Sequence, residues 1–382
     1  MDFQLTDDQI ARNDHLGRFA AEILSAGAAE RIRDARFDRT KWDAAAEMGL
    51  AGLPVDADWG GLGFGALDTM LAIEALGRKC ADLGLIFSLC AHMFACVVPV
   101  WRHGSLQIRE KWLRDMASGR VIAANAMTEA ESGSDAFAMR ASAQRDGDDY
   151  VLTGSKCFIT NAPIADVFIA YAKTNPRQGF FGISCFIVPR DAPGLTVQPE
   201  ARKSGLPTSP WGSVYFDACR IPAANLLGAE GAGAAIFHDS MIWERGCLFA
   251  AYVGAMERVL KQCVEHARDR RQFGKPIGRN QSVSDKLVDM KLRLETARLL
   301  LYRTGWLHDA GLPHEEASAL SKLWISESAV KAGLDAIQLF GASAAIADNG
   351  LDRLLLDSLP SRLFSGSSEI QREIVARHMG LR

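Results

Sequence analysis

Hydrophobic periodicity changes twice along this chain, and few folds accept the resulting order. Within residues 1–120 apolar side chains recur at helical spacing. Ile10, Leu16, Phe19, Ala20 and Ile23 form one stripe, and Leu67, Met70, Ile73 and Leu76 a second. Between them Trp59-Gly-Gly-Leu-Gly-Phe-Gly65 reads as a tight interhelical turn. Over 121–227 the runs shorten to strand length, in Tyr150-Val-Leu, Val167-Phe-Ile-Ala-Tyr, Ile183-Ser-Cys-Phe-Ile-Val and Ser213-Val-Tyr-Phe, punctuated by Gly-Asp, Asn-Pro and Ala-Pro-Gly. From 228 to 382 long helices return, over roughly 232–270, 281–309 and 315–340. The chain reads as mainly α with a central β domain: a helical domain, a β domain and a helical bundle in series.

At 382 residues with 48% hydrophobic content, the chain can bury a core large enough for two or three domains. A net charge of −3 gives no footprint for nucleic acid and no polybasic membrane patch. No apolar run reads as long enough to span a bilayer. The first residues, Met-Asp-Phe-Gln-Leu-Thr-Asp-Asp-Gln, lack the basic and apolar regions of a secretion signal. Eight cysteines occur without a Cys-x-x-Cys pair, six of them in apolar surroundings, so they read as buried thiols in a reducing compartment. A cytoplasmic location is expected.

Several chemistries lack support. There is no His-Glu-x-x-His, Cys/His cluster or EF-hand loop, so no metal site is expected. Gly231-Ala-Gly233 is half a dinucleotide fingerprint, but it opens a long helix and follows no convincing strand, so it reads as a helix entry. Neither Gly154-Ser155 nor the Gly60–Gly65 run is followed by the Gly-Lys-Ser/Thr of a phosphate-binding loop.

Other segments match a family pattern in order across nearly the whole chain. Thr128-Glu-Ala-Glu-Ser-Gly-Ser-Asp135 supplies hydroxyls and backbone N–H groups suited to flavin edges or pyrophosphate, although such a run is commonly a capped turn. Lys156-Cys-Phe-Ile-Thr-Asn161 is a strand with an aromatic and a Thr. Arg270-Arg-Gln-Phe-Gly with Gln281, the turn Gln338-Leu-Phe-Gly-Ala342, and Phe364-Ser-Gly-Ser-Ser-Glu-Ile-Gln follow. Together they resemble the acyl-CoA dehydrogenases. The resemblance implies that family's three-domain fold, with an FAD in a homodimer or homotetramer. Asn125, Met127 and Thr128 would border the flavin ring, Ser134 would lie near the pyrophosphate and thioester arm, and Phe158 and Thr160 would pack on the isoalloxazine. Arg270 and Phe273 would reach the flavin of a neighbouring subunit, with Gln281, Gln338, Gly341, Ser367 and Glu369 completing its envelope.

In most of that family the C-terminal motif carries a catalytic Glu where this chain has Ser365. The base must then come from elsewhere. Glu244 shares a helical face with Phe237, Met241, Leu248, Ala251 and Ala255, and a carboxylate on an apolar stripe is costly to bury without a reason. A structural ion pair would be one reason; a desolvated base with a raised pKa is the other. A branch of the family, including isovaleryl- and long-chain-specific enzymes, places its base at this position just before an Arg. Glu244 resembles that base, with Arg245 and Ser365 beside the substrate.

Asn161-Ala-Pro-Ile-Ala-Asp166, Ile242-Trp-Glu-Arg-Gly-Cys-Leu248 and Ser361-Arg-Leu-Phe-Ser-Gly366 resemble more closely the prolyl-[peptidyl-carrier-protein] dehydrogenases of pyrrole biosynthesis. Pro207 in Lys203-Ser-Gly-Leu-Pro-Thr-Ser209, where the wider family has Arg, marks a changed loop. This resemblance implies oxidation of a prolyl thioester held on a phosphopantetheinylated carrier protein. Electrons would pass to an electron-transfer flavoprotein or oxygen. Two alternatives remain: a short- or branched-chain acyl-CoA dehydrogenase, and a flavin-fold scaffold without catalysis.

Overall fold

The computed structural model describes residues 4–199 and 201–381; Met1–Phe3, part of the segment read for a secretion signal, lie outside them. Helices occupy the chain as far as Ala117, a sheet fills 123–227, and helices return from Gly233. The main helices are α1 (Asp7–Phe19), α2 (Ala66–Lys79), α3 (Leu83–His92), α4 (Gly233–Cys247), α5 (Ala250–Asp269), α6 (Gln281–Asp309), α7 (Glu315–Phe340) and α8 (Ser368–His378).

Helix α1 starts at a capping box, in which the Thr6 hydroxyl accepts the Gln9 N–H and Gln9 Oε1 accepts the Thr6 N–H. A π turn over Ala20–Leu24 follows it and shifts the phase of the apolar stripe. Leu16, Ala20 and Leu24 are buried, whereas Ile23, within the π turn, and Ile10, in the first turn of α1, are exposed members of the expected stripe. Helix α3 runs on through a π turn at Met93–Val97 to His103. This 21-residue stretch is long and apolar enough to cross a membrane, contrary to the sequence reading, but 94% of its apolar window is buried inside the protein. Its His92 ring fixes the helix to the sheet: Nδ1 accepts the Ala123 N–H at 3.0 Å and Nε2 donates to the Met116 carbonyl at 2.9 Å. Burial lowers the His92 pKa to about 4, which keeps the ring neutral for that arrangement.

The sheet comprises β1 (Ala123–Ala126), β2 (Ser142–Asp146), β3 (Asp149–Thr160), β4 (Val167–Lys173), β5 (Ile183–Pro189), β6 (Leu195–Pro199), β7 (Trp211–Pro222) and β8 (Leu226–Leu227). Its order is β6-β7-β3-β2-β4-β5-β8, with β1 parallel to β4 in the register Ala123↔Val167. β4 and β5 are buried on both faces and read from the sequence as continuous apolar runs. β1, β2, β6 and β8 were not legible there.

The expected single helix over 232–270 is two. At Leu248–Phe249 the N–H groups of Ala251 and Tyr252 turn to carbonyls three residues back, so the helix breaks between α4 and α5. Phe249 is fully buried there, its ring 5.6 Å from that of Phe364. The stripe assigned to Glu244 stays inward across the break: Met241, Leu248, Ala251 and Ala255 are buried and Phe237 is half-buried. Helices α2 and α5 cross at backbone contact: a Cβ at Gly77 would lie 2.1 Å from the Ala251 carbonyl oxygen, and one at Gly254 2.1 Å from that of Glu74. Gly231 and Gly233 likewise let the entry to α4 approach Phe181 and Ser184, a packing role and no nucleotide fingerprint. Seven cysteines are buried rather than six; Cys157 is half-buried.

Candidate active site

Glu244 lies in the last turn of α4, 8% exposed, with its carboxylate turned into a cavity of about 630 Å³. Met241 and Phe237, one and two turns earlier on the same face, line that cavity as the periodicity required. The Ser365 hydroxyl donates a hydrogen bond to Glu244 Oε1 across 121 residues of sequence. Ser365 itself has φ of 56°, a left-handed conformation held from behind. Arg245 Nε and Gln371 Nε2 donate to its carbonyl oxygen at 3.0 and 3.2 Å, and Gln371 also donates to the Gly366 carbonyl at 2.9 Å.

Arg245, expected beside the substrate, is not among the residues that border the cavity. Its guanidinium sits behind the loop and fixes the residue that touches Glu244. Burial pushes the Glu244 carboxyl above the usual carboxylate range; the Ser365 hydroxyl, the Arg245 guanidinium and the Lys322 ammonium oppose that without cancelling it. Nearby Cys90 and Cys96 are raised first by burial and then by the Glu244 charge, so both remain thiols.

The opposite part of the wall comes from the sheet. The β3–β7 register slips between Lys156 and Ile159, and at this bulge Phe158 adopts φ of 57°. The bulge turns Phe158 outward, 56% exposed, with its ring 5.1 Å from Trp211 and inclined 30° to it. Phe158, Thr160 and Trp211 all border the cavity. Beneath them Lys156 Nζ donates to Glu129 Oε1 at 2.8 Å and to the Met127 carbonyl at 3.0 Å. Glu129 also accepts the N–H groups of Arg140 (2.6 Å) and Ala141 (3.0 Å); against burial, the Lys156 ammonium first and these N–H groups with it hold its carboxyl low. This buried pair shapes the 128–135 turn, so Thr128, Gly133 and Ser134 face the cavity.

Of the expected site residues, Asn125, Met127, Thr128, Ser134, Phe158, Thr160, Glu244, Ser365 and Ser367 border one cavity. Ser367 also caps α8, accepting the Ile370 N–H at 3.4 Å. Glu369 is exposed on the first turn of α8 and does not border it. Arg270, Phe273, Gln281, Gln338 and Gly341 lie apart, where α5 ends, α6 begins and α7 ends. The His266 and Phe340 rings meet there at 4.5 Å. Phe273 is 97% exposed at the tip of a hairpin formed by β9 (Arg271–Gln272) and β10 (Lys275–Pro276). Sequence reasoning missed Phe87, Ala91 and Ala95 of the α3 segment, whose alanines carry no chemical signal. It also gave no role to Lys203, whose ammonium lies 5.8 Å from the Phe87 ring and 5.6 Å from the Trp211 ring at the cavity wall. Burial lowers the Lys203 pKa to about 8.

A helical domain, a central sheet and a helical bundle around a buried carboxylate define a thioester dehydrogenase architecture, and the chain belongs to the acyl-CoA dehydrogenase family. The family's N-terminal domain matches residues 6–120, its middle domain 124–219 and its C-terminal domain 231–380. The chain is 51% identical to the L-prolyl-[peptidyl-carrier protein] dehydrogenase of a Serratia species, over 100% of this chain and 99% of that protein. It is 46% identical to the enzyme so named from Pseudomonas fluorescens, over 100% of both. Among solved structures, PigA with FAD and proline superposes with a TM-score of 0.99 at 50% identity, covering 100% of both chains.

Proposed function

We propose that this protein is an FAD-dependent dehydrogenase that oxidises an L-prolyl thioester on a peptidyl carrier protein to the pyrrolyl thioester. The observation that carries the reading is the buried Glu244–Ser365 pair, which puts a base in the cavity wall at a site whose usual carboxylate is replaced by a hydroxyl. The substrate class is supported by the full-length likeness to the prolyl enzymes of Serratia and Pseudomonas. The residues present fit a flavin. Phe158 is held at a strained φ with its ring turned outward, and the hydroxyls of Thr128, Ser134 and Thr160 border the same cavity. FAD, when bound, supplies the hydride acceptor.

In this reading Glu244 takes the α-proton, and the electron pair of the α-C–H bond moves toward the thioester carbonyl oxygen. Burial raises the basicity of the carboxylate, and the Ser365 hydroxyl fixes which of its oxygens remains free. Prolyl to pyrrolyl removes four hydrogens in two two-electron oxidations. The electrons pass on to an electron-transfer flavoprotein or oxygen. The exposed Phe273 hairpin supports a homodimer or homotetramer, with Arg270 and Phe273 reaching the flavin of a neighbouring copy. None of the eight cysteines forms a disulfide, which supports a cytoplasmic location.

The test is mass spectrometry of an L-prolyl carrier protein incubated with the purified enzyme. Loss of four hydrogens from the prolyl group is expected. Rapid turnover of butyryl- or isovaleryl-CoA with no change in the prolyl carrier would reassign the protein to fatty or branched acyl-CoA oxidation. The scaffold alternative is disfavoured because Glu244 faces the cavity and not a polar surface.

A further inference from the structure

Alternation along β1 divides its side chains between two environments. Ala124 and Ala126 join the sheet's own core with Phe168 and Ala170, whereas Ala123, Asn125 and Met127 border the cavity. The α3 segment packs against β1 and adds Phe87, Ala91 and Ala95 to the same cavity. Asn125 thus places a carboxamide in a wall otherwise built of small or apolar groups. Its Oδ1 is buried and meets no hydrogen-bond partner within the protein. Leaving such an acceptor unmet is unfavourable, so the position implies a ligand with a donor to offer. A hydrocarbon acyl group has none. An acyl group with an N–H beside its α-carbon has one, attached to the carbon that Glu244 deprotonates.

We infer that Asn125 reads the ring nitrogen of the acyl group. Its side-chain amide accepts a hydrogen bond from the N–H on the α-carbon, selecting an α-amino acyl thioester over a hydrocarbon one and orienting the ring with respect to Glu244. This rests on the prolyl thioester reading above. The family resemblance places Asn125 at the flavin edge, and the two roles separate by experiment. Native enzyme and Asn125→Leu are compared on L-prolyl and cyclopentanecarbonyl thioesters of one carrier protein, with FAD content measured for each. For the prolyl ring the variant's kcat/KM should fall about ten- to hundredfold, the range for an unmet buried hydrogen bond. FAD content should stay native, and the rate on the cyclopentane ring should hold or rise. Asn125→Ala, which cannot crowd the wall, should show the same change of preference. Equal losses on both rings, an unchanged prolyl rate, or loss of FAD would each overturn the inference while leaving the proposed function standing. A native enzyme that oxidises the cyclopentane ring and ignores the prolyl ring would overturn both.

Discussion

Glu244 and Ser365 meet although 121 residues separate them, and each was visible in the sequence for a different reason. Glu244 stood out as a carboxylate on an apolar stripe, and Ser365 as a hydroxyl in a motif that elsewhere carries a base. The role of Arg245 was not visible. A guanidinium next to a base suits a substrate anion as well as a carbonyl, and the contact with the Ser365 carbonyl, shared with Gln371, comes from the left-handed loop backbone, which no sequence pattern displays. The pair makes a prediction about pH. Burial holds the Glu244 carboxyl above the ordinary range, and the Ser365 hydroxyl stabilises the ionised form. Ser365→Ala removes that stabilisation, so the carboxyl must rise further and the active, ionised fraction at a given pH must fall. The acid limb of the kcat/KM profile should move to higher pH, with a smaller change on the alkaline plateau. An acid limb that stays in place would show that the hydroxyl does not act on the base.

Long helices were the most legible elements because their burial requires a repeated apolar face; α6 and α7 begin and end where the pattern placed them. Elements defined by tertiary contact were not. Ala123-Ala-Asn-Ala has little strand character and becomes β1 by pairing with β4. The break at Leu248–Phe249 lies in an unbroken helical pattern and arises where Phe249 packs on Phe364. The Arg270–Gly274 motif was legible but its hairpin, β9–β10, was not, and that conformation gives the motif a physical sense. Phe273 has φ of 50° and 97% exposure, so it is held out from its own chain. Arg270 precedes it, also exposed. Arg270→Ala should lower FAD retention on gel filtration and shift the oligomer toward smaller species, since one guanidinium would serve both the cofactor phosphate and the interface. Native FAD content and an unchanged elution volume would remove the hairpin from the cofactor site.

At the scale of the whole molecule, the helix–sheet–helix order restricted the fold before any motif was considered. The apolar Leu83–His103 stretch shows what pattern alone leaves open. Length and composition fit a membrane span, and only its 94% burial beneath the other elements identifies it as a core helix. That core helix, β1, the β3 bulge, α4 and the loop before α8 each contribute one wall to a single cavity. The proposed function requires that the base in that cavity be Glu244. Glu244→Gln keeps the size and hydrogen-bonding capacity of the side chain and removes its basicity. Its most direct test is anaerobic mixing of FAD-loaded Glu244→Gln with L-prolyl carrier protein, following flavin absorbance. Native enzyme should bleach, and the variant, with native fold and FAD content, should bleach about a hundred- to ten-thousandfold more slowly. Bleaching at the native rate would contradict the assignment of Glu244 as the base.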